Sequence, residues 1–285
     1  MKVRKPTFDL QKKLVRHYFK GNAFSTHLAN SLHIIFPEGE KFFIRSCRKF
    51  LPKITDTQLK KEVKAFMGQE GMHAVAHNDF WQYLEQQGFK VAPFANFVDK
   101  TAFEGVEALI YKVLGEEKGS LFCLSMTAGL EHYTALLAEL AFENEDEFKH
   151  MPEEMRHLFF WHAAVEIEHK SVAYDLLKHI SSNELIKNAG FTVSTILLFS
   201  YAILGQLYFV STDKESDVLD WPTEFVDFVE SLGSPMAQKL ALNIFAYFKK
   251  DFHPSNMKND HYAQDYFEQY ERYQVNKKST SSSAA

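Results

Sequence analysis

Glycine and proline are scarce in this chain, 12 and 8 among 285 residues. So few breakers argue against a fold of many short strands and tight turns, and favour long helices. Cysteine is scarcer still. Cys47 and Cys123 form no C-x-x-C pair, which excludes a zinc knuckle or a thioredoxin-like motif and leaves no disulfide framework. A reducing cytoplasm suits two such thiols. Lysine and arginine form no run, and the net charge of −5 with a pI near 6.2 lacks the basic face of a nucleic-acid binder. The opening MKVRKPTFDLQKK has no apolar core of the kind a signal peptide needs. No serine or cysteine stands in a triad-like setting for nucleophilic catalysis.

What is present is a hydrophobic share of 46%, 27 phenylalanines and 13 histidines. The apolar share can bury a sizeable core. The pattern predicts a short helix over 9–20, a break at Gly21-Asn22, and a helix from Ala23 that bends at Pro37, resumes at Glu38 and stops at Pro52. Thr55-x-x-Gln58 reads as a capping box, opening a long helix to Gln87 that Gly88 stops. Segments 101–115 and 118–143 read as helical with a break at Gly115. Pro152-Glu153-Glu154 reads as the first turn of a helix reaching Ser181. Segments 222–249 and 260–275 follow as helices, and the Ser/Thr/Ala-rich tail 278–285 reads as disordered. The expected architecture is all-α. A four-helix bundle over about 23–182 carries helical extensions over 183–277, all in one domain over 1–277. Residues 188–212 hold no charged side chain, long enough to span a bilayer. They read either as a helix buried in the domain or a homodimer interface, or as a membrane contact.

Two Glu-x-x-His pairs carry the chemistry: Glu70/His73 in GQEGMHAVAHNDF and Glu166/His169 in WHAAVEIEHK. Residues three apart share a helix face. At about 100° per residue, Glu70, His73 and His77 lie at roughly 0°, 300° and 340°, and His162, Glu166 and His169 at roughly 0°, 40° and 340°. Two such pairs, plus one carboxylate from each of two more helices, make the ligand set of a di-iron or di-manganese bundle. Glu131, among small and apolar residues, is the choice for one of these, with Glu104 and Glu107 competing. Glu40 is preferred over Glu38 for the other. Glu and His without thiolate suit iron or manganese better than a structural zinc site. His77 and His162 read as weaker ligands or as partners that orient one. His132 points about 100° away from Glu131 and reads as structural, and His253 as a loop residue.

These residues resemble the ferritin-like di-iron superfamily. The spacing is closest to p-aminobenzoate N-oxygenase-like enzymes, whose pattern is Glu, Glu-x-x-His, Glu, then His-x-x-x-Glu-x-x-His. His162-x-x-x-Glu166-x-x-His169 matches the last element, and the resemblance implies His162 as an extra ligand. More of the chain is similar to a bacterial family described as predicted metal-dependent hydrolases, through FPEGEKFFIRS, GQEGMHAVAHNDF, GLEHYTA, HAAVEIEHK and DFHP. The expected metal ligands are therefore Glu40, Glu70, His73, Glu131, His162, Glu166 and His169, with Glu70, Glu131 and Glu166 catalytic. Two metal ions are expected, iron first and manganese or zinc as alternatives. The expected activity is an oxygen-dependent oxidase or oxygenase with an apolar, lipid-like substrate and an electron donor. The alternative is a hydrolase using a metal-activated water.

Overall fold

The computed structural model describes residues 2–6, 8, 10, 15–19, 21–216, 220–232 and 235–270. These are helical with no strand among them, so the all-α expectation holds. The element bounds follow local chemistry. Asn22 caps α1 (Ala23–Arg48), its side-chain oxygen accepting from Ser25 N–H at 2.8 Å. The helix runs through Pro37 as one element and ends before Pro52, which sits in a separate turn, Leu51–Lys53. Residues 15–19 form bends and turns rather than the expected helix, and much of 9–14 lies outside the described residues.

The cap of α2 (Thr57–Gln86) is Asp56, whose carboxylate accepts from the N–H groups of Gln58 and Leu59. Thr55 does not cap it, because the helix starts one residue later, at Thr57, which puts Asp56 at the cap position. At the far end Gly88 takes φ +84°, the left-handed turn that glycine adopts without strain. A short α3 (Val91–Val98), unforeseen in the pattern, leads through a π-helical turn, Asp99–Gly105, into α4 (Val106–Glu143). Gly115 interrupts α4 with φ +74°, where a break was expected. The helix bearing the second Glu-x-x-His divides into α5 (Glu153–His169) and α6 (Val172–Ile180), so it does not run unbroken to Ser181. Beyond α7 (Glu184–Thr212), segment 222–249 divides into α8 (Trp221–Leu232) and α9 (Pro235–Ala246). Residues 260–270 are helical, and the expected disordered tail lies outside the described residues.

α1 packs along α2, α4 along α5 and α6, and α7 lies against both α1 and α4. Two glycines allow that approach. A Cβ on Gly190 would lie 1.9 Å from Ser125 Oγ, and one on Gly205 would lie 2.0 Å from Ser31 Oγ. α7 is the one helix among the described residues long and apolar enough to cross a membrane, and 33% of its most apolar stretch is buried. Phe191, Gly205 and Phe209 face inward, while Ile196, Phe199, Ile203 and Leu207 are exposed. The helix therefore serves the core with one face and leaves an apolar face outside.

Candidate metal centre

Four helices bring seven acidic and imidazole side chains to one place. α1 contributes Glu40, α2 Glu70 and His73, α4 Glu131, and α5 His162, Glu166 and His169. All seven are buried. Their nitrogens and oxygens crowd together. His73 Nδ1 lies 3.1 Å from Glu166 Oε1, 3.7 Å from Glu70 Oε2 and 4.0 Å from Glu40 Oε1. His169 Nε2 lies 3.2 Å from both Glu70 Oε1 and Glu166 Oε2, and 3.5 Å from Glu131 Oε2. His162 Nε2 meets Glu166 Oε1 at 2.8 Å and Glu40 Oε1 at 3.9 Å. Two overlapping donor sets result: Glu70, His73, Glu166 and His169 in one, and Glu40, His73 and His162 in the other.

Glu166 is hydrogen-bonded to His162 and His169, but the other acids are not. Both oxygens of Glu40, Glu70 and Glu131, and both nitrogens of His73, have no hydrogen-bond partner despite burial. An unpartnered buried polar atom costs about 1–3 kcal/mol, and more when charged. Such a set persists where a cation balances it. The donors fit a metal pair: carboxylates and imidazoles without thiolate, of the kind that suits iron or manganese. Cys47 does not supply a thiolate, since burial pushes its thiol up.

The electrostatics carry the same message. Burial raises the Glu70 and Glu131 carboxyls well above the usual range, and Glu40 to about 7. The negative charge of Glu166 adds to the rise in all three. Glu166 itself resists burial and lies well below its ordinary value, held there by His169, His162 and His73. Burial thus favours proton binding at Glu40, Glu70 and Glu131 in the metal-free centre, and metal binding would compete with those protons.

Rings shape the walls. Phe66 stands edge-on to His169, Trp161 to His73 and Phe36 to His162. His77 lies with Nε2 3.2 Å from Glu40 Oε1 and Nδ1 2.7 Å from Nδ1 of His33. His77 is thus placed to orient Glu40. Sequence reasoning passed over His33. The available signal was its spacing, seven residues before Glu40, which returns to nearly the same helix face at roughly 340°.

The competing candidates fall elsewhere. Glu38 pairs with Lys41. Glu107 pairs with Arg45 at 2.9 Å, and Glu104 is exposed. His132 Nε2 donates to the carbonyl of Asn243, a structural contact. His253 caps the turn Pro254–Asn256 and pairs with Asp175 at 2.8 Å.

The centre opens onto a narrow apolar cavity between α1, α4 and α7. Phe42, Phe43, Phe103, Met126, Leu130 and Leu198 are typical of its walls, and Glu40, Glu70, His162 and Glu166 line it at the centre.

Comparison with known proteins returned no match among curated proteins and none among solved structures. Residues 2–258 match the model of a family described as predicted metal-dependent hydrolases, and the chain belongs to that family.

Proposed function

We propose that this chain is a ferritin-like di-metal carboxylate enzyme that uses two iron ions and dioxygen to oxidise an apolar substrate. One observation carries the reading: buried carboxylates and imidazoles converge from four helices, Glu40, Glu70 and Glu131 without a hydrogen-bond partner, and the cluster borders an apolar cavity through Glu40, Glu70, His162 and Glu166. Glu40, Glu70, His73, Glu131, His162, Glu166 and His169 would hold the ions. Such a pair, when bound, supplies electrons to dioxygen from its reduced state, and an external electron donor restores it. The protein's own part is positioning and exclusion. Phe36, Phe66 and Trp161 hold the imidazoles in place, and the phenylalanine-rich walls keep water from a reactive oxidant. Glu70, Glu131 and Glu166 are the carboxylates closest to the chemistry.

The second reading is hydrolysis, favoured by the family's description. The same ligands would hold ions that lower the pKa of water, with one carboxylate acting as general base. We read residues 1–277 as one domain in either case. We further read the protein as cytoplasmic, with the exposed face of α7 available to a membrane or a second copy.

Elemental analysis with an anaerobic-to-aerobic absorption spectrum separates the readings. Two irons per chain and a spectral change on admitting oxygen to the reduced protein are expected. Zinc or manganese without oxygen reactivity would support hydrolysis, and absence of any metal would end both.

A further inference from the structure

The cavity walls carry hydroxyl groups, yet each is committed. Tyr133 Oη donates to Thr195 Oγ1 at 2.8 Å, because Thr195 gives its own proton to the carbonyl of Phe191. Tyr201 Oη donates to Thr101 Oγ1 at 2.7 Å. Ser194 Oγ donates to the carbonyl of Phe191 and Thr134 Oγ1 to that of Glu131. No lysine or arginine lines the cavity. The one acid of the wall outside the centre, Glu107, is paired with Arg45. An ether or carbonyl oxygen held midway along the wall would lose its water hydrogen bonds and find no donor in exchange. At the inner end the balance reverses, since Glu40, Glu70, Glu166 and His162 stand there.

We infer that the substrate is a monofunctional apolar molecule, a hydrocarbon chain or aromatic body with a single polar group that enters first and reaches the centre. The inference deepens the proposed function and rests on its placing of the chemistry at the inner end. The cavity selects against polarity in the body of the molecule, because unpaired polar groups discriminate more sharply than a methylene does.

Isothermal titration calorimetry of the full chain, metal-free and metal-loaded, with 1-octanol and 3-butoxypropan-1-ol, which replaces one mid-chain methylene by an ether oxygen, tests this. The expected result is that 1-octanol binds and that 3-butoxypropan-1-ol binds roughly tenfold or more weakly, the cost of one unpaired acceptor. Leu198→Trp and, separately, Val106→Trp fill the cavity and should abolish binding of 1-octanol. Circular dichroism melts identify which variant is folded, and the folded one is scored. Comparable affinity for the two alcohols, no binding of either, or full binding by a folded filled-cavity variant would overturn the inference. Because the metal-free protein is also titrated, failure of the metal reading shows up separately in the elemental analysis.

Discussion

Two buried histidine–carboxylate clusters in this chain have similar parts and opposite hydrogen-bonding states. In one, Asp213 accepts from His17 Nε2 at 2.7 Å, His27 Nε2 at 2.8 Å, Arg16 Nε at 2.6 Å and the backbone N–H of Glu215 at 3.0 Å. His27 Nδ1 in turn meets Asn30, which accepts from Tyr18. Burial would raise the Asp213 carboxyl, but these hydrogen bonds hold it well below the usual carboxylate range. In the other, three glutamates converge with no hydrogen-bond partner, and their carboxyls are raised. Residue types alone do not mark a metal site: His17, His27 and Asp213 are close enough to hold an ion. The difference is that Arg16 already supplies the cation at Asp213, whereas the four-helix centre contains no lysine or arginine to do so. The first cluster ties the N-terminal segment and α1 to the end of α7. The second calls for a partner from outside the chain.

The sharpest way to break this comparison is Glu70→Ala. It should reduce metal affinity by more than the roughly 10- to 100-fold typical of losing an outer partner, and elemental analysis should show less than one ion per chain. A full complement of metal in that variant would remove Glu70 from the centre. Asp213→Ala should have the opposite profile. Loss of one partner from a buried ionic network costs about 3 kcal/mol or more, with metal or without it. Chemical denaturation of both forms measures the two losses, and a loss confined to the metal-loaded form would show that Asp213 belongs to the metal centre.

Acidity separates the clusters next. Glu40 is raised from 4.5 to about 7, so the metal-free fold binds a proton that the unfolded chain releases earlier. That contribution is fully present below pH 4.5 and is lost as pH rises towards 7. Asp213 works the other way: its contribution is present above its ordinary 3.8 and is lost as pH falls. Relative to a Glu40→Gln variant, the metal-free protein should therefore lose stability between about pH 4.5 and 7, a comparison that cancels the opposite contribution of buried histidines such as His33 and His77, and metal loading should flatten that difference. Thermal melts of both proteins across the range, with and without metal, read both effects; an identical difference in the two forms would contradict the assignment. The smallest effect is expected of His77→Phe. It leaves every proposed ligand in place but removes the group facing Glu40, and should weaken metal binding about 10- to 100-fold. Competition with a chelator measures it, and unchanged affinity would make His77 a packing residue.

Much of this was legible in the amino acids because it is local. A helix repeats every 3.6 residues, so Glu70 with His73, and His162 with Glu166 and His169, had to share faces wherever those helices packed. Caps and stops such as Asn22, Gly88 and Gly115 announced themselves for the same reason. Other features resisted. Thr55 and Asp56 are both good caps, and only the backbone path chose between them. The break after His169 joins two helical stretches whose composition reads as continuous.

By itself, then, the amino-acid order determined that this protein is helical and which side chains lie along each stripe, since both follow from neighbours a few residues apart. Tertiary structure alone decided that Glu40 faces inward while Glu38, about 200° round the helix, reaches Lys41 at the surface. It also decided that His27 would meet an aspartate 186 residues away, and that Tyr133 and Tyr201 would give their protons to Thr195 and Thr101. Such choices depend on how separate helices pack, and no local spacing encodes that.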